Sequence, residues 1–347
     1  TNSDTSVGAS GPAADFAGAA SMLLDGAAIA GRGLADVRVV GETIVEVGDL
    51  EPLPGETVVA LGGKVLAPAF IDSHVHLLYL PNIANMARNG LAGVVDLAAP
   101  PAIFAADTEP LRTIVAGPMI TAIGGYPTQD WGAGGYGLEC ADAAAAEAAV
   151  DMLHDLGAGV IKLPVTSGPQ LDDAALAAAA ARAHAYGLPV ASHALADDEA
   201  RRAALAGADV LAHTPISPLT AATLDAWAGR AVISTLKAFG GGTPATSNLA
   251  ALRERGAKVL YGTDYGNSAV PGIDRRELEL LLAAGLTPAE LLAAGTSAPA
   301  AYWGFDGLGA IEPGKDASLL VLESDPLQDP LVLAEPARVL VRGAWQP

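Results

Sequence analysis

The 347-residue chain carries 19 basic against 39 acidic residues, a formal charge of −20, and is 51% hydrophobic but only 5% aromatic. This composition excludes a disordered chain and argues against nucleic acid or anionic membrane surfaces as partners, since both are bound through cationic patches that release counterions. Its single cysteine, Cys140, excludes an intrachain disulfide and thiolate-built structural zinc sites, so any metal must be held by histidine and carboxylate.

The opening TNSDTSVGASGPAADF is small, polar and Gly/Ser-rich, as a tether following a removed export signal would be, which leans toward a periplasmic or extracellular protein, with a cytoplasmic one as the alternative. No apolar run reaches 18 residues; even the Ala-rich stretch 174–196 contains Arg182, His184 and His193, so no membrane-spanning helix is expected. Residues 21–64 (with LADVRVVGETIVEVG) and 308–346 (with DASLLVLES and ARVLVRGAW) read as short strands separated by turns. They are paired here as one small composite β-domain, 1–64 with 305–347, because domain termini tend to lie together. Between them, residues 65–304 alternate β-type and helical runs. Strands are expected at 65–76, 92–97, 113–122, 158–163, 188–193, 208–213, 230–236 and 257–264, and helices at 142–157, 172–187, 197–207, 218–229 and 248–256, each closed by a glycine. The pattern predicts an α/β fold, a (β/α)8 TIM barrel. Two terminal helices are expected after it: DRRELELLLAAG from Asp274, and one opened by the capping box Thr287-Pro288-Ala289-Glu290.

The chemistry-bearing residues fall at the ends of these strands. In Asp72-Ser73-His74-Val75-His76, side chains at i and i+2 share a face, so His74 and His76 point together and can hold one divalent cation. Of six histidines, His193 and His213 also sit at strand ends; either alone reads as a hydrogen-bonded core histidine, whereas His154 and His184 lie in helices as solvated residues. Lys162 in GAGVIKLPV aims one amine into the barrel, where a lone ammonium is costly and the neutral form is favoured. That amine can add carbon dioxide to form a carbamate bridging two metals; the plainer alternative is a lysine paired with an acidic loop. Asp264 in VLYGTDYG can ligate metal and exchange a proton with water, or simply cap a turn. Separations between these residues approximate whole numbers of βα units, and all six lie at the carboxyl ends of strands one, four, five, six and eight, where barrel active sites form.

On APAFIDSHVH (67–76), Lys162, His193, His213, the GTD at 262–264 and the closing GLGAIEPGKDASLLVLESDPLQD (307–329), the sequence resembles the amidohydrolase superfamily over nearly its whole length. AGPMITAIGG (116–125), AHAYGLPVASHA (183–194) and the strand-four lysine look like the imidazolonepropionase and Xaa-Pro dipeptidase branch. The resemblance implies that His74 and His76 hold a buried metal and His193 and His213 a more exposed one, with Lys162 as the carbamylated bridge and Asp264 as the catalytic carboxylate. Two divalent ions, expected to be zinc, and carbon dioxide on Lys162 are thus the implied cofactors. Two departures are visible. Gly124-Gly125 is followed by Tyr126 where that branch often has histidine, and His193 is followed by Ala194, Leu195 and Ala196 rather than by the glutamate common in deaminases.

Two cations about 3.5 to 4 Å apart would turn a bridging water into hydroxide near neutral pH. Asp264 would act as general base toward that water and then as general acid toward the leaving amine. Substrate contacts are expected from the loop 121–140, through Tyr126, Trp131 and Tyr136, and from Lys237 as partner of a substrate carboxylate. The plainer alternatives are aromatics packed on one another and a solvated lysine. Asp96, ending strand two, is expected to support the site by hydrogen bonds. The function expected is metal-dependent hydrolysis of an amide-type C–N bond in a small molecule, a dipeptide or N-acyl amino acid. A mononuclear cyclic amidase resembling imidazolonepropionase and a non-catalytic scaffold are the alternatives; a homo-oligomer is left open.

Overall fold

The computed structural model describes residues 21–347; the expected tether, 1–16, lies outside the described residues. Parallel strands Phe70–Val75, Leu91–Asp96 and Arg112–Val115 lie side by side in chain order. So do Ile161–Pro164, Val190–His193, Val210–Leu211, Ala231–Ile233 and Lys258–Leu260. Hydrogen bonds link the two sets. Gly159 N–H donates to Val115 O (3.0 Å), and on the other side Ser73 N–H donates to Tyr261 O (2.9 Å) and His76 N–H to Tyr265 O (2.7 Å). The last parallel strand therefore runs beside the first, and their carboxyl ends face the same way.

Helices between these strands are set by their caps and by a small-residue face. Asp142 and Asp172 accept from Ala145 N–H and Ala175 N–H, and Gly157 and Gly207 close their helices in the left-handed region at φ 99° and 103°. In the helix Asp173–Ala185 the buried positions are Ala175, Leu176, Ala179, Ala180 and Ala183, an i, i+4 stripe narrow enough to seat the helix close to the sheet. Larger side chains fill the remaining space: Leu249 and Leu252, both fully buried on the helix Thr243–Glu254, each contribute roughly 1.5–3 kcal/mol by leaving water.

Strands from the two chain ends pair in one six-stranded sheet, ordered Ala344–Trp345, Arg338–Val341, Leu319–Leu322, Val65–Pro68, Ala28–Ile29, Gly33–Leu34. A four-stranded sheet, Thr43–Gly48, Asp36–Val40, Ser21–Asp25 and Thr57–Ala60, lies beside it. Period-2 alternation divides the six-stranded sheet between two cores. Val65, Ala67, Leu320 and Leu322 face the larger cluster, while Leu66, Leu319, Val321 and Leu340 face a smaller one with Leu24, Val37 and Ile44.

Several expected elements differ. The run 65–76 is two strands parted at Ala69, the first of which belongs to the six-stranded sheet, so that sheet takes residues beyond position 64. The run 113–122 breaks at Gly117 (φ 72°) and Pro118, and its second half, Met119–Ala122, pairs with Gly137–Cys140. The expected helix 218–229 is only Ala221–Ala226, and that at 248–256 begins at Thr243. Helices Ile83–Arg88 and Ser297–Trp303 are additional, so three helices, not two, follow the last parallel strand; at six and seven residues these two are too short to show periodicity. The capping box at Thr287 and Glu290 forms as the sequence indicates. Among the described residues no helix is long and apolar enough to cross a membrane.

Candidate metal centre

Each of the six expected ligands is delivered by a strand end and is at most 6% exposed. His74 lies in Phe70–Val75 and His76 just beyond it; Lys162 lies in Ile161–Pro164; His193 closes Val190–His193; His213 follows Val210–Leu211; Asp264 follows Lys258–Leu260. His76 Nε2 is 3.1 Å and His74 Nε2 3.5 Å from Asp264 Oδ1, and the ligating atoms of these three residues lie within 4.8 Å of one another. The imidazoles continue outward, with ring centroids 4.5 Å apart for His74 and His213 and 4.8 Å for His213 and His193.

The backbone orients the rings. His74 Nδ1 donates to Ala212 O (2.8 Å) and His76 Nδ1 to Ala98 O (2.9 Å), which fixes the tautomer that leaves each Nε2 lone pair aimed at the centre. His213 Nδ1 lies 3.1 Å from Thr235 Oγ1. Among the described residues His74 Nε2, His193 Nδ1, Lys162 Nζ and Asp264 Oδ1 are buried with no hydrogen-bond partner. Buried polar atoms are seldom left so, and four of them in one nitrogen-and-oxygen donor set fit a hard or borderline divalent cation.

Two glycines make room. A Cβ on Gly262 would lie 2.3 Å from Ile233 Cγ2 and 3.3 Å from His74 Cβ, and one on Gly266 would lie 2.9 Å from His76 Cβ. Asp264 itself sits at φ 53°, a left-handed conformation that aspartate tolerates better than most residues.

Burial sets the charges. It drives His74 and His213 well below the usual imidazole range and His193 down to about 3, with Lys162 adding to each. His76 is raised, because the carboxylate of Asp264 beside it outweighs burial. Burial would raise the Asp264 carboxyl, but His74 and His76 hold it well below its ordinary value. The Lys162 ammonium is pushed down to about 7 by burial, against the opposing charges of Asp264 and Asp96. The centre thus presents mostly neutral imidazoles, an ionised carboxylate and an amine that readily loses its proton.

Buried carboxylates brace these ligands. Asp72 accepts from His74 N–H (3.0 Å), Thr263 N–H (3.1 Å) and Thr263 Oγ1 (2.6 Å), tying the strand of His74 to the segment of Asp264. Asp96 accepts from Leu77 N–H (2.7 Å) and Ala98 N–H (3.1 Å), fixing the carbonyl that orients His76. Glu277 accepts from Leu236 N–H (2.9 Å) and Lys237 N–H (2.7 Å). The Asp-x-His-x-His period marks Asp72 in the sequence and the GTD run marks Thr263; Glu277 carries no comparable mark.

Burial raises Glu277 from 4.5 to about 7. Between those values the folded protein binds a proton that the unfolded chain has released, so stability falls as pH rises through this window, by about 3 kcal/mol from this group. Glu277→Gln, neutral at every pH, is expected to lose that part of the decline in denaturant melts from pH 4.5 to 7.5. Parallel curves for variant and wild type would refute the assignment.

Above the centre lies a cavity of about 350 Å³, lined by His74, His76, His193, His213, Asp264 and, around them, Tyr79, Met119, Tyr126, Trp131, Leu195, Phe239, Gly266 and Asn267. Tyr126 stacks on His193 (4.6 Å) and Trp131 lies over His76 (5.1 Å), as their place in the 121–140 loop suggests. Two expectations need correction. Tyr136 packs behind Trp131 and Tyr79 and does not line the cavity, and Lys237 is absent from the lining because its amine is paired with Asp274. Phe239, two residues on, reaches the cavity instead, 4.7 Å from His213.

Residues 241–345 match the model of the Amidohydrolase family. A protein of Mycobacterium tuberculosis (strain H37Rv) is 28% identical over 91% of this chain and 94% of its own length. An N-acyl-D-aspartate deacylase of Alcaligenes xylosoxydans xylosoxydans is 40% identical over 24% of the chain, which spans 17% of that enzyme and 10% of a Bacillus subtilis dihydroorotase that it also matches. Among solved structures, a Xaa-Pro dipeptidase with methionine bound in its active site superposes with a TM-score of 0.80 at 20% identity, over 94% of this chain and 99% of that one, a likeness of fold. The carboxyl-terminal part of the chain thus matches the Amidohydrolase family, and the fold of the whole is like that of a solved amidohydrolase, at 23% identity and a TM-score of 0.78 over 94% of this chain and 98% of that one.

Proposed function

We propose that this protein, a hydrolase acting on carbon–nitrogen bonds, cleaves an amide-type bond of a small molecule at a centre of two divalent cations, with zinc the expected metal. The observation that carries the proposal is the convergence of four imidazoles and one ionised carboxylate on the lining of a single cavity, with the unpartnered Lys162 amine fully buried outside that lining. The reading also takes the eight parallel segments as a (β/α)8 barrel and the strands of both chain ends as a small composite domain.

In this reading His74, His76 and Asp264 hold one ion and His193 and His213 the other. The neutral Lys162 amine would add to carbon dioxide and lose a proton, and the resulting carbamate would offer anionic oxygens to the cations in place of an unpartnered amine. Bound cations would polarise the amide carbonyl and acidify the attacking water. Asp264, held ionised, takes the proton that water gives up as its oxygen bonds to the carbonyl carbon, then passes it to the nitrogen as the C–N bond breaks, releasing amine and carboxylic acid. Tyr126, Trp131 and Phe239 shield the rings of His193, His76 and His213 from bulk water.

One observation favours a mononuclear second reading, a cyclic amidase with Lys162 unmodified: among the described residues only His74, His76 and Asp264 form a group of three whose ligating atoms lie within 4.8 Å of one another. Elemental analysis after reconstitution with zinc and bicarbonate separates the two, with close to two equivalents expected and one supporting the alternative. Chelation is expected to lower amide hydrolysis by at least about 100-fold and readdition of metal to restore it. Fewer than one equivalent, or activity indifferent to chelation, would retire both readings.

A further inference from the structure

We infer that the cavity selects an uncharged substrate, an amide, carbamate or urea with an aromatic or bulky apolar group and no carboxylate near the scissile bond; the inference deepens the hydrolase reading and rests on it. Among the described residues no lysine or arginine lines the cavity. Lys237, the nearest sequence candidate for a carboxylate partner, is bound to Asp274, and Lys162 lies buried outside the lining. The chain as a whole is strongly acidic.

The neutral donors are partly spent as well. Trp131 Nε1 donates to Tyr126 Oη (2.9 Å), and Asn267 Nδ2 donates to Asp264 Oδ2 (3.2 Å), which uses one of its two N–H groups. The other N–H and the Tyr126 and Tyr79 hydroxyls remain. Away from the proposed metal ligands, a carboxylate entering here would lose its water and meet aromatic faces, a thioether and Leu195. An aromatic ring would meet edges and faces suited to it, from Trp131, Tyr79 and Phe239, whose mutual arrangement around His76 and His213 already follows tilted and edge-on geometry. The cavity volume is at the small end of ligand pockets and accommodates a one- or two-ring molecule.

The test is a matched pair, N-benzoylphenylalanine and N-benzoylphenylalaninamide, with benzanilide as a third, fully uncharged compound. Benzoate release is followed on the zinc-reconstituted protein, and binding is measured separately by Trp fluorescence and calorimetry. The amide is expected to exceed the acid in kcat/KM by at least about tenfold. Leu195→Arg, which places a cation on the wall, is expected to narrow or invert that ratio. An acid hydrolysed or bound as well as its amide by the wild type would overturn the inference. A preference for the amide in binding, with no benzoate released from any of the three, would leave the cavity's selectivity standing and count against the hydrolase reading alone.

Discussion

Asp264→Asn is expected to lower kcat by up to about 10⁴-fold while the protein keeps its fold and part of its metal. The substitution is informative because the site sits at φ 53°, where asparagine is tolerated and alanine would add strain. The amide can still face His74 and His76 with its oxygen, at the loss of the bond from Asn267 Nδ2 to the second carboxylate oxygen, and the local turn, with Ser268 N–H donating to residue 264 O (2.8 Å), is a backbone bond that survives. What is lost is the ability to take a proton from water and return it to the leaving nitrogen. Circular dichroism and metal content should therefore change little beside turnover. A variant retaining a tenth of the wild-type kcat would show that another group carries the proton.

Lys162→Met should separate stability from function in opposite directions. The lysine is fully buried with no hydrogen-bond partner, and its shape is close to that of methionine. Its ammonium titrates at about 7 in the folded protein against 10.5 ordinarily, so between those values the unfolded chain binds the extra proton and metal-free stability rises with pH. The full span is up to about 5 kcal/mol. In metal-free protein the methionine variant is expected to be more stable than wild type by the largest margin below pH 7, and to lose this advantage by about pH 10. Metal affinity should fall by more than the 10–100-fold typical of a residue that merely supports a ligand. The checks are denaturant melts of metal-free protein from pH 6 to 10 and metal titration of both proteins. Equal melts throughout, or undiminished metal binding, would mean that the amine is neither a burden nor a ligand.

The sequence revealed the floor of the site better than its walls. His74, His76, Lys162, His193, His213 and Asp264 could be placed together because strand alternation and strand ends are local properties, and a polar residue at the end of an apolar run stands out. The helix opening at Asp274 and the capping box at Thr287 were legible for the same reason. Cavity walls depend on how loops lie across the strand ends. Lys237 and Phe239 are two residues apart in one short helix, and which of them enters the cavity is decided by Asp274 and Glu277, far along the chain. Nor could alternation show that 65–76 changes partners at Ala69, since nearly every residue of both halves is buried whichever face it takes; the pairing of Val65–Pro68 with Leu319–Leu322 distinguishes them.

That pairing bears on how the protein is made. The strand leading directly into Asp72, His74 and His76 is flanked on one side by a segment that leaves the ribosome only after every proposed ligand has been synthesised. Until residues 319–322 emerge, one edge of Val65–Pro68 has no neighbour, and contacts this distant in sequence are slow to close. Assembly of the proposed centre accordingly waits on residues 319–322, and a chain cut short before them would hold all six proposed ligands without the sheet that anchors the first two.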